Sequence, residues 1–285
     1  MACTRPLNAY KSPSGKIFFT PFRGATFTQV PCGQCIGCRL THSRDWATRC
    51  VHEAHMHDRN CFLTLTYSDE NLPENSTLVR KHLTDFLKRY RKAVDPVKLR
   101  YFGCGEYGSK LSRPHYHLII FGHDFDDKLL YKQGKFPLYN SALLSSLWEY
   151  GFAVLAGFSF ESAAYVARYC VKKITGDKAD EHYGSRIPEF SAMSLRPGIG
   201  YEFFMRYYED IVNSDACIGR GGRQIKPPRY YDKLLSGCDL EKLESNKLNR
   251  QLNANIVDPW RLRDMDKFNL IKFQRMMRKL ENGSL

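Results

Sequence analysis

Apolar residues alternate with threonine in CFLTLTYS (61–68), the period of a half-buried strand, and the turn-forming residues from Asp69 to Glu74 end it. Upstream, residues 36–58 carry Leu40, Trp46, Cys50 and Ala54 on one face of an expected helix whose other faces are polar. Downstream, Val79, Leu83, Phe86, Leu87 and Tyr90 recur at helical spacing, with Thr77 as the expected cap. KLRYFGCGEYG (98–108) and HYHLIIFG (115–122) read as two strands joined by the short loop SKLSRP, a hairpin and so antiparallel. SALLSSLWEYG (141–151) predicts a helix ending at Gly151, FAVLAGFSF a strand, and ESAAYVARYCVKK (161–173) a further helix.

The predicted order is α-β-α-β-β-α-β-α. Its inner β-α-β-β-α-β run is the split-βαβ pattern of ferredoxin-like and RRM-like folds, an α+β class with an antiparallel sheet, here expected to carry its helices on one face. Past residue 175, SRIPEFSAMSLRPGIG and CIGRGGRQIKPPRYY read as ordered loops or linkers, with a helix between them from Tyr201 to Val212. From Asp239 two charged helical patterns flank Asp258-Pro259. The resulting division is an N-terminal segment (1–60), a catalytic core (61–175), a basic loop-rich extension (176–238) and a helical tail (239–285).

Composition narrows the partner. The 285 residues are 43% hydrophobic and 26% charged, a globular balance. Lys and Arg outnumber Asp and Glu by 43 to 30, a formal charge of +13, which favours a polyanion such as nucleic acid. No leader-like or membrane-length apolar run occurs, so no membrane partner is expected. Ten cysteines in such a chain read as reduced thiols or metal ligands, in keeping with a cytoplasmic setting.

The chemistry concentrates in the hairpin and the last core helix. Residues two apart in a strand share a face, so His115 and His117 project together while Tyr116 faces away. A turn near 110–112 puts Glu106 across from one of them, with side chains roughly 5 Å apart. Two nitrogens and a carboxylate leave coordination positions open, suited to Mg²⁺ or Mn²⁺ acting on a phosphate. Tyr165 and Tyr169, four apart on a helix, lie about 40° apart around the axis, with Lys172 and Lys173 close behind. A phenol with a pKa near 10 needs neighbouring cations or a metal to act as a nucleophile.

RPHYHLIIFG with Glu106, and YVARYCVKK with its tyrosines and lysines, resemble the HUH-superfamily rolling-circle replication initiators of small single-stranded-DNA phages, the gokushovirus-type initiators of microviruses above all. The likeness extends to PCGQCIGC, FLTLTYSDENLP, SLRPGIG and KPPRYYDKL, covering most of residues 30–235. It implies a metal-dependent transesterification at single-stranded origin DNA. One tyrosine attacks a phosphodiester, forms a 5′-phosphotyrosine and frees a 3′-hydroxyl; the second cuts in the next round. Tyr169, followed by Lys172, also fits the single-tyrosine pattern of related initiators and ranks ahead of Tyr165 for the first attack. By the same resemblance Thr64 and Thr66, on one face of their strand, are candidate DNA contacts. The setting implied is the cytoplasm of an infected bacterium. No GxxxxGK[ST] occurs, so unwinding falls to a host helicase and host replication proteins.

Three further features stand apart. Cys32, Cys35 and Cys38 form CxxCxxC, a spacing able to hold a structural Zn²⁺ with Cys3 or Cys50 as fourth ligand, or to sit as reduced thiols or on an iron–sulfur cluster. His52-Glu53-Ala54-His55 has its histidines three apart rather than four and so lacks zinc-protease geometry. Arg220, Arg223, Lys226 and Arg229 form a basic segment able to grip phosphates. Two other classes compete with a nicking enzyme: a non-catalytic nucleic-acid binder, and a phosphodiesterase using water at the same metal.

Overall fold

The computed structural model describes residues 3–108, 111–172, 178–253 and 259–281, with the backbone alone described at 168–172, 178, 220, 259 and 276–281. Its elements in chain order begin β1 (Leu7–Lys11), β2 (Ile17–Phe18), β3 (Thr26–Val30), α1 (Ile36–Ala54), β4 (Asn60–Tyr67), α2 (Arg80–Ala93), β5 (Arg100–Tyr107) and β6 (Pro114–Phe121). There follow β7 (Leu129–Lys132), β8 (Leu138–Asn140), α3 (Ala142–Leu147), β9 (Gly151–Gly157), α4 (Phe160–Lys172), α5 (Lys178–Tyr183) and β10 (Phe190–Met193). The rest are α6 (Tyr201–Arg206), α7 (Tyr208–Ser214), β11 (Cys217–Ile218), β12 (Gln224–Ile225), α8 (Arg229–Cys238), α9 (Leu240–Leu252) and α10 (Pro259–Glu281). They form two units, Met1–His42 with Glu244–Asn282, and Ser43–Leu243.

The larger unit is built on a seven-stranded antiparallel sheet in the order β10-β5-β6-β4-β9-β8-β7. Its centre, β5-β6-β4-β9, is the strand order of the split-βαβ arrangement expected from the sequence. Alternation in β4 sends Cys61, Leu63, Leu65 and Tyr67 to one face, where they pack with Leu83, Phe86 and Tyr90 of α2 and Leu144 and Leu147 of α3. On the other face Phe102, Cys104, Ile119 and Phe121 meet Cys50 and Ala54 of α1 and Ala163 and Val166 of α4. Helices therefore cover both faces, not the single face expected. The unbroken apolar run Leu118-Ile119-Ile120-Phe121, buried throughout, is the sequence mark of a strand enclosed on both sides.

Local differences have local causes. Thr77 does not cap α2: Val79 holds that position, and the Thr77 hydroxyl accepts the Ile187 amide at 2.8 Å. Gly151 does not end α3, which stops at Leu147 with Trp148 as its cap. Gly151 instead opens β9 at φ +149°, where a Cβ would stand 2.2 Å from the Ser68 amide nitrogen. The helix expected from Tyr201 to Val212 is interrupted at Tyr207, giving α6 and α7. The segments read as loops contain β10, which extends the sheet beyond β5 with Phe190 opposite Gly105, and α8. Buried Tyr231 and Leu235 of α8 pack with Phe204, Ile211, Val212 and Cys217 in a third apolar cluster.

In the smaller unit β2-β1-β3 form a three-stranded antiparallel sheet, an element absent from the sequence reading. Helices α9 and α10 fall where the two charged patterns predicted them. No helix among the described residues is long and apolar enough to cross a membrane.

Candidate active site

The β5–β6 ladder sets Glu106 directly opposite His115 and Cys104 opposite His117. Across β6, Thr66 pairs with His115 and Thr64 with His117 on β4. Glu106, His115, His117 and Thr64 thus share one sheet face, as the period of two requires. Nε2 of His115 and of His117 lie 2.7 and 3.0 Å from Oε1 of Glu106. One donor atom from each of the three lies within 4.8 Å of the others, close enough to ligate a single ion.

Orientation of each ring favours ligation through Nε2. The Arg113 carbonyl, 3.0 Å from His115 Nδ1, can only accept, so Nδ1 carries hydrogen and the neutral ring presents the Nε2 lone pair. Thr64 Oγ1, 3.0 Å from His117 Nδ1, is placed to accept from it in the same way. Phe62 stacks on the His117 ring, centroids 5.5 Å apart, and restrains its tilt.

Glu106 is almost fully buried, and its Oε2 has no hydrogen-bond partner. An orphaned carboxylate oxygen at such depth is costly unless something cationic meets it. Burial by itself raises the Glu106 carboxyl, but the two imidazoles outweigh it and hold it below the ordinary carboxylate range. Anionic carboxylate, two neutral imidazoles and an unsatisfied oxygen form a donor set that fits a divalent cation with positions left for water and phosphate.

Helix α4 crosses this face. The Tyr165 hydroxyl stands 3.4 Å from His117 Nε2, its ring edge-on to the imidazole at 5.0 Å. The helix keeps its path through Lys172, so Tyr169 follows one turn on. The side chains of Tyr169 and Lys172, and all of Lys173, lie outside the described residues. A cleft of about 300 Å³ opens beside Tyr165 and His117, lined also by Phe62, Thr64, Lys132 and Lys135. The last two sit on the β7–β8 hairpin, which the sequence reading missed. Their only signal was the pair of lysines in KQGK, with no periodicity to mark strands.

The remaining candidates fall elsewhere. Thr64 is turned to His117, and half-buried Thr66 stands opposite His115. Arg223, Lys226 and Arg229 are exposed around the β11–β12 hairpin and the start of α8, outside the lining of the cleft; the Arg220 side chain is not among those described. Cys32, Cys35 and Cys38 converge with Cys3, while Cys50 is buried against the sheet. His52 and Glu53 join no metal-ligating group among the described residues: His52 Nδ1 is 2.7 Å from the Tyr231 hydroxyl, and Glu53 pairs with Arg100.

Fold and site together define a class, an antiparallel-sheet protein offering two histidines and a glutamate from one hairpin and a tyrosine from a facing helix. A family model for the replication-associated protein ORF2 matches residues 60–174, the span of that sheet and helix. The replication-associated protein ORF2 of Spiroplasma virus 4 is 34% identical over 259 residues, covering 82% of this chain and 80% of the relative. The replication-associated protein VP4 of Bdellovibrio phage phiMH2K is 33% identical, covering 81% and 76% respectively. A third relative, the replication-associated protein ORF4 of Chlamydia phage 1, is 32% identical over 72% of this chain and 53% of its own length. The chain belongs to the family of microvirus replication-associated proteins. No solved structure matches it.

Proposed function

We propose that the protein initiates rolling-circle replication by nicking single-stranded origin DNA and rejoining it through a 5′-phosphotyrosine. The observation that carries this reading is the Tyr165 hydroxyl, 3.4 Å from a nitrogen of the Glu106-His115-His117 centre. A water-using phosphodiesterase has no need of a tyrosine there, and a passive binder has no need of the centre.

Mg²⁺ or Mn²⁺ held by Glu106, His115 and His117 would supply Lewis-acid polarisation of the scissile phosphate. Tyr165 Oη attacks phosphorus in line with the bond to the 3′-oxygen. That bond breaks as the phenolic ester forms, the phenol's proton passes to solvent, and the departing 3′-oxygen takes one up. One phosphoester replaces another, so the link remains reactive and a later 3′-hydroxyl can reverse the step and close a circle. Tyr169, one turn along α4, makes the cut that ends one round and begins the next. The sequence ranks it first; the proximity of Tyr165 to His117 favours Tyr165 for the opening attack. Lys132 and Lys135 in the cleft, with Lys172 and Lys173 beyond the tyrosines, neutralise phosphate charge. Arg220, Arg223, Lys226 and Arg229 add a second phosphate-binding surface. Strand opening comes from a helicase of the infected bacterium, in whose cytoplasm the protein acts.

The test is incubation with labelled single-stranded DNA spanning the phage origin and Mn²⁺, followed by denaturing electrophoresis. A covalent adduct is expected from the wild type and none from Tyr165→Phe combined with Tyr169→Phe. His117→Ala should abolish cleavage while leaving DNA binding in place. Adduct that survives in the double variant overturns the mechanism, and strand cleavage that needs neither tyrosine identifies a hydrolase instead.

A further inference from the structure

In the smaller unit, Cys3 lies shortly before β1, Cys32 just after β3, Cys35 immediately before α1 and Cys38 in its first turn. All four are free thiols, and one sulfur from each lies within 4.8 Å of the other three. The sulfurs of Cys3 and Cys35 are 3.9 Å apart. Four thiolates at about 2.3 Å from one tetrahedral ion sit about 3.8 Å from each other, the scale of the observed cluster. A disulfide needs sulfurs about 2.05 Å apart. An iron–sulfur cluster gives each thiolate a different iron and so spreads the sulfurs around its own volume.

Backbone amides already point at these sulfurs. Cys32 N donates to the Cys3 sulfur at 3.3 Å, Cys35 N to that of Cys32 at 3.2 Å and Cys38 N to that of Cys35 at 3.5 Å. Such bonds spread the negative charge of a tetrathiolate, and the start of α1 adds its positive end. A closed set of four soft ligands leaves no position for substrate, which marks a structural rather than a catalytic site.

The need for a staple is visible nearby. Among residues 3–35 only Cys3, Thr4 and Ala9 are buried. Leu7, Ile17, Phe18, Phe19, Phe22 and Phe27 are all exposed, so the β1–β3 sheet has almost no apolar core of its own. Small units of this kind need a metal or disulfide to hold together.

We infer that Cys3, Cys32, Cys35 and Cys38 bind one structural Zn²⁺ that ties both ends of the β1–β3 sheet to the first turn of α1. Binding displaces the thiol protons to solvent and leaves zinc in its +2 state, so no oxidant or reductant is required. The site is separate in residues and in role from the Glu106-His115-His117 centre.

The experiment is metal analysis of the full chain, purified under reducing conditions and freed of loose ions by chelator and desalting. About one zinc per chain is expected, falling at least roughly tenfold in Cys3→Ser and in Cys35→Ser, because three thiolates hold the ion far less tightly than four. Cys238→Ser, at an exposed cysteine, and His117→Ala should both retain it. Should the cysteine variants not fold, replacing zinc by Co²⁺ in the wild type gives an independent readout. Tetrathiolate coordination then shows as thiolate-to-cobalt charge transfer with intense tetrahedral bands. Absent zinc, bound iron, cysteines recovered as disulfides, a cobalt spectrum without thiolate bands, or zinc lost in His117→Ala each overturn the proposal. Adduct formation on DNA, measured in parallel, reports on the other centre and can fail independently.

Discussion

At the residue scale, the Thr64 hydroxyl does more for the site than strand propensity accounts for. It meets His117 Nδ1 at 3.0 Å, and its partner atom decides which nitrogen of the imidazole is left to ligate. Thr64→Val keeps the branched shape and β preference but removes the acceptor. Outer partners of this kind are worth about 10- to 100-fold in metal affinity. The Mn²⁺ concentration giving half-maximal adduct should therefore rise by about that factor, with the plateau restored at high Mn²⁺ and wild-type behaviour kept in Thr64→Ser. An unchanged Mn²⁺ midpoint in the valine variant would show that Thr64 does not orient the ring. The site as a whole was legible at this scale because a hairpin with a short loop nearly fixes its register. Glu106 could stand only near His115 and His117, and it stands opposite His115. Cys3 was harder to choose over Cys50, since no spacing rule links a ligand 29 positions before Cys32 to the CxxCxxC motif.

At the element scale, the β4-α2-β5-β6-α3-β9-α4 run was readable because each piece buries one face or two against a shared core, which imposes a period. The elements that escaped lack that constraint. All four residues of β7 are exposed, β1 to β3 bury almost nothing, and β10 is an edge strand of four residues inside a proline-bearing stretch. Two predictions belong here. Gly151→Ala places a Cβ at φ +149° against the Ser68 nitrogen and the Thr66 oxygen, at 2.2 and 2.6 Å, so β4 and β9 must separate. A loss of about 2–4 kcal/mol in urea unfolding is expected, well above a surface alanine; a change under about 0.5 kcal/mol would mean that the backbone relaxes freely. On the β7–β8 hairpin, Lys132→Ala with Lys135→Ala should weaken single-stranded DNA binding and flatten its dependence on salt. Each phosphate contact on a single strand contributes a slope of about 0.7, so the log–log slope should fall by about 1.4. An unaltered slope removes the hairpin from the binding surface.

At the scale of the whole larger unit, α1 is the hinge of the packing between the sheet and the C-terminal helices. Arg49 lies between Trp46 and Tyr230, 4.0 Å from each ring, and donates to the Ile199 carbonyl at 2.9 Å. Glu53 accepts from the Gly200 amide at 2.6 Å and pairs with Arg100. His52 stacks on Phe203 with centroids 3.9 Å apart and bonds Tyr231 at 2.7 Å. Desolvation, and then the charge of His55, push the His52 pKa down to about 4 from its ordinary 6.5. Between those values the unfolded chain binds a proton that the folded chain refuses. Stability contributed by neutral His52 is thus complete above pH 6.5 and lost as pH falls toward 4, by about 1.4 kcal/mol per unit and on the order of 3 kcal/mol at most. His82 and His123, also lowered by burial, act in the same direction, so the comparison must be with a variant. His52→Gln keeps a polar contact to Tyr231 but cannot titrate. It should cost stability at pH 7 through the lost stacking, yet show a shallower decline between pH 6.5 and 4.5 in urea unfolding than the wild type. Parallel curves for the two proteins would mean that His52 is protonated without opening the α1–α6–α8 packing.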